Sequence, residues 1–157
     1  MKTGLYFLTV TSFLILNACG DNNETANKPI ITSDTTAKKM ASGPSNTAEV
    51  MRGRGVFKAN CQVCHGEKGI GQVPNWREPL ANGKYPAPPL NGTGHTWHHP
   101  EAALLQTINN GGIQIGGTMP AFKDKLSAKD KRAVLSYIES LWPAKTYQMW
   151  LQRNQGN

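Results

Sequence analysis

An all-α domain is what this sequence predicts, and three observations carry the prediction. Val134, Tyr137, Ile138, Leu141 and Trp142 repeat at helical spacing until Pro143 stops them. No segment sustains the apolar–polar alternation of a half-buried strand. Residues 45–157 span 113 positions, enough for one modest core and too few for two.

Ahead of that domain lie two segments of different character. Lys2 opens a short basic region, Leu5 to Leu16 is mostly apolar, and the run ends in Leu16-Asn17-Ala18-Cys19. It is too short and interrupted for a membrane span, so residues 1–18 read as a cleaved export signal. Its end resembles a bacterial lipobox, which implies that Cys19 is acylated and becomes the new N-terminus. An ordinary signal with an incidental cysteine is the alternative, but an odd free thiol suits an oxidising compartment poorly. Residues 19–44 are mainly Asn, Thr, Ala, Ser, Lys and Asp, with only Ile30-Ile31 as a substantial apolar feature. Such a stretch cannot bury a core and reads as a tether of about 25–30 Å root-mean-square span.

Within the domain, Thr47 is the expected cap of a first helix running to about Asn60, with Val50, Phe57 and Met51 on its apolar faces. Gly53 and Gly55 weaken it, and close contact with another helix would account for them. A second helix is expected to begin at Pro100 and carry Leu104, Leu105 and Ile108 before Gly111-Gly112. The best-defined helix opens on the capping-box-like pair Ser127 and Asp130. Residues 143–157 form an extension in which Tyr147, Trp150 and Leu151 make one face that packs back on the body.

The chemistry lies in Cys61-Gln62-Val63-Cys64-His65. That spacing lets two thiols add to the vinyl groups of one haem while the adjacent imidazole reaches its iron. A redox dithiol would be expected beside a βαβ pattern, and a structural zinc site would need a second ligand pair; neither is present in the sequence. One haem c is therefore the expected cofactor.

Gly53, Phe57, Cys61, Cys64 and His65 together resemble the first helix and haem-binding turn of class I cytochromes c. The resemblance covers most of residues 47–142 and implies a haem held between N- and C-terminal helices, with the domain at residues 45–142. It further implies that Gly53 crosses Tyr137, that the Pro88 carbonyl accepts a hydrogen bond from His65, that Leu90 packs on the macrocycle, and that Met119 is the second axial ligand. Pro88-Pro89-Leu90-Asn91-Gly92 and Gly117-Thr118-Met119-Pro120-Ala121-Phe122 are the segments that carry these roles.

The chain departs from a minimal cytochrome in the insertion over residues 67–86, with Trp76, Arg77, Lys84 and Tyr85, and in the tail after Pro143. Residues 86–100 resemble a segment of small bacterial monohaem cytochromes, within which Trp97 is the expected haem-packing or propionate-bonding residue. His95, His98 and His99 invite a copper site, although capping or propionate contacts are the plainer roles for them.

These features describe a one-electron carrier rather than an enzyme, since His65 and Met119 would fill both axial positions. A gas sensor or haem catalyst, and an electron-feeding accessory subunit, are the alternatives. Residues 45–157 carry thirteen basic against seven acidic side chains. Lys58, Lys123 and Lys125 are placed to border the haem edge and steer an acidic redox donor or acceptor. A monomer with no nucleic-acid partner is expected, lipid-anchored in the cell envelope. Gly20 stands after Cys19 in place of the aspartate associated with inner-membrane retention, which favours the outer membrane facing the periplasm, with a Gram-positive membrane surface as the alternative.

Overall fold

Five α-helices, three single-turn 3-10 helices, irregular loops and no strand make up the described residues, 43–155, of the computed structural model, which all belong to one compact unit. The export signal, Cys19 and all but the last two residues of the tether lie outside the described residues. Helix α1, Thr47–Asn60, is capped by Asn46, whose side chain accepts from the Glu49 N–H at 3.1 Å. The cap is therefore one residue earlier than Thr47, because either side chain can satisfy an open N–H and Asn46 holds the non-helical position. Helix α2, Gln62–His65, continues α1 after a change of direction at Cys61.

Helix α3, Glu101–Asn110, starts one residue later than expected, with Pro100 extended at the cap position. Helix α4, Ala128–Ser140, is capped by Ser127, which accepts from the Asp130 N–H at 3.1 Å. After Pro143, helix α5, Ala144–Asn154, buries Tyr147 and Trp150. Trp150 stands edge-on to Trp142 at 5.6 Å and donates Nε1–H to the His99 carbonyl at 2.9 Å, which fastens α5 to the turn before α3.

Helices α1 and α4 cross at Gly53. A Cβ there would lie 1.8 Å from the Ala133 carbonyl oxygen and 2.9 Å from the Tyr137 Cβ, so only hydrogen fits. One turn on, the Phe57 ring meets Tyr137 at 5.2 Å, and at the other end Arg52 pairs with Asp130 at 2.7 Å. Gly55 meets nothing within 4 Å, so close approach explains Gly53 and not Gly55. Phe57, Val134, Leu135 and Ile138 form the centre of the core, and Leu104, Ile108 and Phe122 join it from α3 and the segment after it.

Candidate haem-binding site

A cavity of about 740 Å³ opens between α2, α3, α4 and the loops that join them. Cys61, Cys64 and His65 line it together with Pro88, Leu90 and Met119. The attachment turn is built by main-chain bonds: the Cys61 carbonyl accepts from Cys64 at 3.1 Å and from His65 at 2.9 Å. One helical turn thus places both thiols and the imidazole at one edge of the cavity. The turn ends at Gly66, whose φ of +74° is costly for any residue with a side chain.

His65 is buried, and its Nδ1 lies 2.9 Å from the Pro88 carbonyl oxygen. A carbonyl only accepts, so Nδ1 carries the proton and the Nε2 lone pair is left for a metal. Burial holds the His65 pKa below its ordinary value, and the bond to Pro88 offsets this in part. Neutral imidazole is the form that ligates. Pro88 is positioned by the chain around it: Leu90 N–H donates to the Gly69 carbonyl at 2.7 Å, and Gln72 N–H to the Ala87 carbonyl at 2.9 Å. Trp142 adds Nε1–H to the Leu90 carbonyl at 2.8 Å, tying the segment to the end of α4.

Met119 enters from the loop between α3 and α4. Its carbonyl accepts from Gly112 N–H at 2.9 Å, and a Cβ on Gly111 would come within 2.5 Å of the same oxygen. The glycine pair at the end of α3 therefore allows the methionine segment to fold back over the cavity. Phe122 N–H donates to the Ile108 carbonyl at 3.0 Å and closes the loop.

The residues fit a covalently held haem. Cys61 and Cys64 are not joined in a disulfide. Burial pushes the Cys61 thiol up to about 11, with Cys64 adding to the rise and Lys125 opposing it, which is the reverse of the lowered pKa of a reactive redox dithiol. Apolar side chains such as Leu104, Ile108, Val134 and Leu135 form the walls. The volume is in the range of about 300–1,000 Å³ usual for cofactor pockets.

A model of the family described as cytochrome c oxidase, cbb3-type, subunit III, matches residues 48–138. The chain belongs to this family of class I c-type cytochromes. Its cofactor is a haem c, and its chemistry is electron transfer through that haem. Among similar proteins, the cbb3-type cytochrome c oxidase subunit FixP of Azorhizobium caulinodans is 34% identical over 98 residues, covering 62% of this chain and 29% of the relative. The subunit CcoP of Azospirillum brasilense is 30% identical over 97 residues, covering 62% and 30%. The cytochrome bc1 complex cytochrome c subunit of Corynebacterium diphtheriae is 34% identical over 94 residues, covering 59% and 27%. The chain thus spans less than a third of the length of each. No solved structure matches the chain.

Trp97 is not among the residues lining the cavity. Its ring stacks on His98 at 3.8 Å, and the Arg153 guanidinium of α5 lies 5.2 Å from its centre. The tryptophan at the cavity is Trp76 from the insertion, which stands there with Arg77, Tyr85, His95 and His99. The insertion is joined to the methionine loop by Tyr85 N–H, which donates to the Gly116 carbonyl at 3.0 Å. Among the described residues no group of three or more His, Cys, Asp or Glu side chains is arranged to hold a metal ion, so the three-histidine copper site is not formed. No described helix is long and apolar enough to cross a membrane.

Proposed function

We propose that the domain is a one-electron carrier of the bacterial cell envelope in which Cys61 and Cys64 hold the haem and His65 and Met119 ligate its iron. One observation carries this reading: a neutral imidazole with its Nδ1 proton committed to Pro88 faces the same apolar cavity as the Met119 thioether. The haem supplies a couple that accepts and releases one electron. The chain supplies the rest. Pro88 fixes the tautomer of His65, Leu90 and the α3 and α4 side chains keep water from the cavity, and a neutral thioether donor favours the reduced state. With His65 and Met119 both holding the iron, no position would be open for a substrate, and the domain would not by itself be an enzyme.

The relatives are subunits of larger redox complexes by name, which supports a second reading: a domain that feeds electrons to, or within, an envelope oxidoreductase. In either reading the donor and acceptor are redox proteins, the domain is a monomer without nucleic-acid partners, and acylated Cys19 anchors it, with the outer membrane facing the periplasm as the preferred site. Absorption and magnetic spectra of the purified protein test the core of the proposal. Six-coordinate, low-spin iron in both oxidation states, without ready carbon monoxide binding, is expected. Met119→Ala should keep covalent haem, lower the potential and admit carbon monoxide; an unchanged spectrum in that variant would remove Met119 as the ligand. Carbon monoxide binding by the wild type would favour the sensor. Copurification in mild detergent identifies a host complex, and intact mass with cell fractionation decides the fate of Cys19.

A further inference from the structure

Two imidazoles that take no part in ligation stand on the wall of the haem cavity. The His95 ring lies over Trp76 at 5.1 Å with an interplanar angle of 21°, and meets the edge of His99 at 5.4 Å. Both histidines, Trp76 and Arg77 line the cavity, and the Arg77 guanidinium sits 4.2 Å from the Trp76 ring centre. His98 turns the other way, its Nδ1 3.5 Å from an Arg153 nitrogen of α5. The groups acting on the charge of His95 are His99, His98 and Arg77, and none of them is a carboxylate. Partial burial first, and then these neighbours, hold the His95 pKa below its ordinary value.

We propose that the His95–His99 pair couples electron transfer at this haem to binding of a proton. The inference rests on the carrier reading above. The physical ground is placement: two imidazoles, the side chain whose charge changes most readily under physiological conditions, share the wall of the haem cavity and are exposed enough to exchange protons with water. When the redox donor delivers one electron, the charge of the site falls by one unit. The repulsion that opposes protonation of His95 eases, and an N–H bond forms within the pair with a proton taken from solvent. When the acceptor removes the electron, that proton returns to solvent. Because the reduced state binds the proton more tightly, its advantage shrinks as pH rises, and the midpoint potential must fall across the titration range of the pair.

The test is the midpoint potential of the full-length, haem-loaded protein, measured by spectroelectrochemistry between about pH 5 and pH 9, the range that brackets histidine. The wild type should show a falling potential, and H95Q/H99Q a markedly flatter one with an unchanged absorption spectrum. A measurement that needs no variant is the NMR titration of the His95 and His99 ring protons, with a higher apparent pKa expected in the reduced protein than in the oxidised one. A pH-independent wild-type potential, an equal slope in the double variant, or identical titrations in the two oxidation states would overturn the coupling while a reversible one-electron wave left the carrier reading standing. Absence of covalent haem would remove both.

Discussion

The two flanks of α4 bury opposite kinds of surface. Toward the haem cavity the helix presents Val134, Leu135 and Ile138. On its other flank Arg132, Ser136 and Glu139 line a second cavity of about 360 Å³, closed by Glu49 of α1, Glu101 of α3, and Tyr147 and Trp150 of α5. Glu139 is only 6% exposed. Burial, and then the charges of Glu101 and Glu49, push its carboxyl up to about 8. One flank is thus built to receive a large apolar body, while the other tolerates a carboxyl by keeping it mostly protonated at neutral pH. A single helix can serve both because Leu135, which reaches both cavities, separates them by one side chain.

The largest expected effect belongs to the cavity. Cys61→Ala with Cys64→Ala removes covalent attachment and leaves about 740 Å³ to be filled or collapsed. Without its occupant the cleft exposes the apolar side chains that line it, at about 1.5–3 kcal/mol for each one that loses its burial, and only a few of these reach the roughly 5–15 kcal/mol stability of a whole domain. Circular dichroism should show a largely unfolded chain; native helicity without haem would mean that the cavity does not need its occupant.

Next is the acidic flank. The folded-state pKa of Glu139 lies above the ordinary value of 4.5, so the folded protein binds the extra proton and loses stability as pH rises from about 4.5 to about 8. At about 1.4 kcal/mol per pH unit the loss is about 3–5 kcal/mol. Denaturant midpoints of the holo protein should follow that slope, and Glu139→Gln should flatten it. A wild type equally stable at both ends of the range would show that the carboxyl is solvated.

A smaller effect tests the crossing that holds α4 in place. Gly53→Ala should cost at least the about 1–3 kcal/mol of an overpacked core, since the new methyl meets the Ala133 backbone. Gly55→Ala, with open space around it, should instead stabilise by about 0.5–1 kcal/mol. Thermal melts of the pair would expose any error in the helix register. The smallest effect concerns charge outside the cavity. Lys125 acts on the charge of Cys61 and lies 5.8 Å from the Phe122 ring centre, so it borders the attachment edge. Lys125→Gln should slow encounter with an acidic partner a few-fold at low salt and leave the rate unchanged at high salt. A salt-independent wild-type rate would reject steering.

The all-helical fold and the cofactor were legible because their signals are local. Ser127 and Asp130 cap α4 within one turn, and five consecutive residues specify haem attachment. Even so, the cap of α1 fell one residue away from Thr47, since Asn46 offers the same chemistry next door. The cavity wall was less readable. Whether Trp76 or Trp97 faces the haem depends on how the insertion folds, and that is set by bonds between distant residues, Gln72 with Ala87 and Tyr85 with Gly116. Glu139 gave no signal as a buried acid, because a glutamate late in an amphipathic helix reads as solvated until α5 folds over it.

The main-chain anchors of the two proposed ligand segments bear on the speed of the electron itself. Pro88 sits in a loop fixed to Gly69 and Gln72, and Met119 in one fixed to Gly112, so neither donor needs to travel when the oxidation state changes. With little nuclear rearrangement to drive, the tunnelling distance to the partner becomes the controlling quantity. Val63, 88% exposed between the two cysteines, brings the attachment turn itself to the surface, where a partner could approach it.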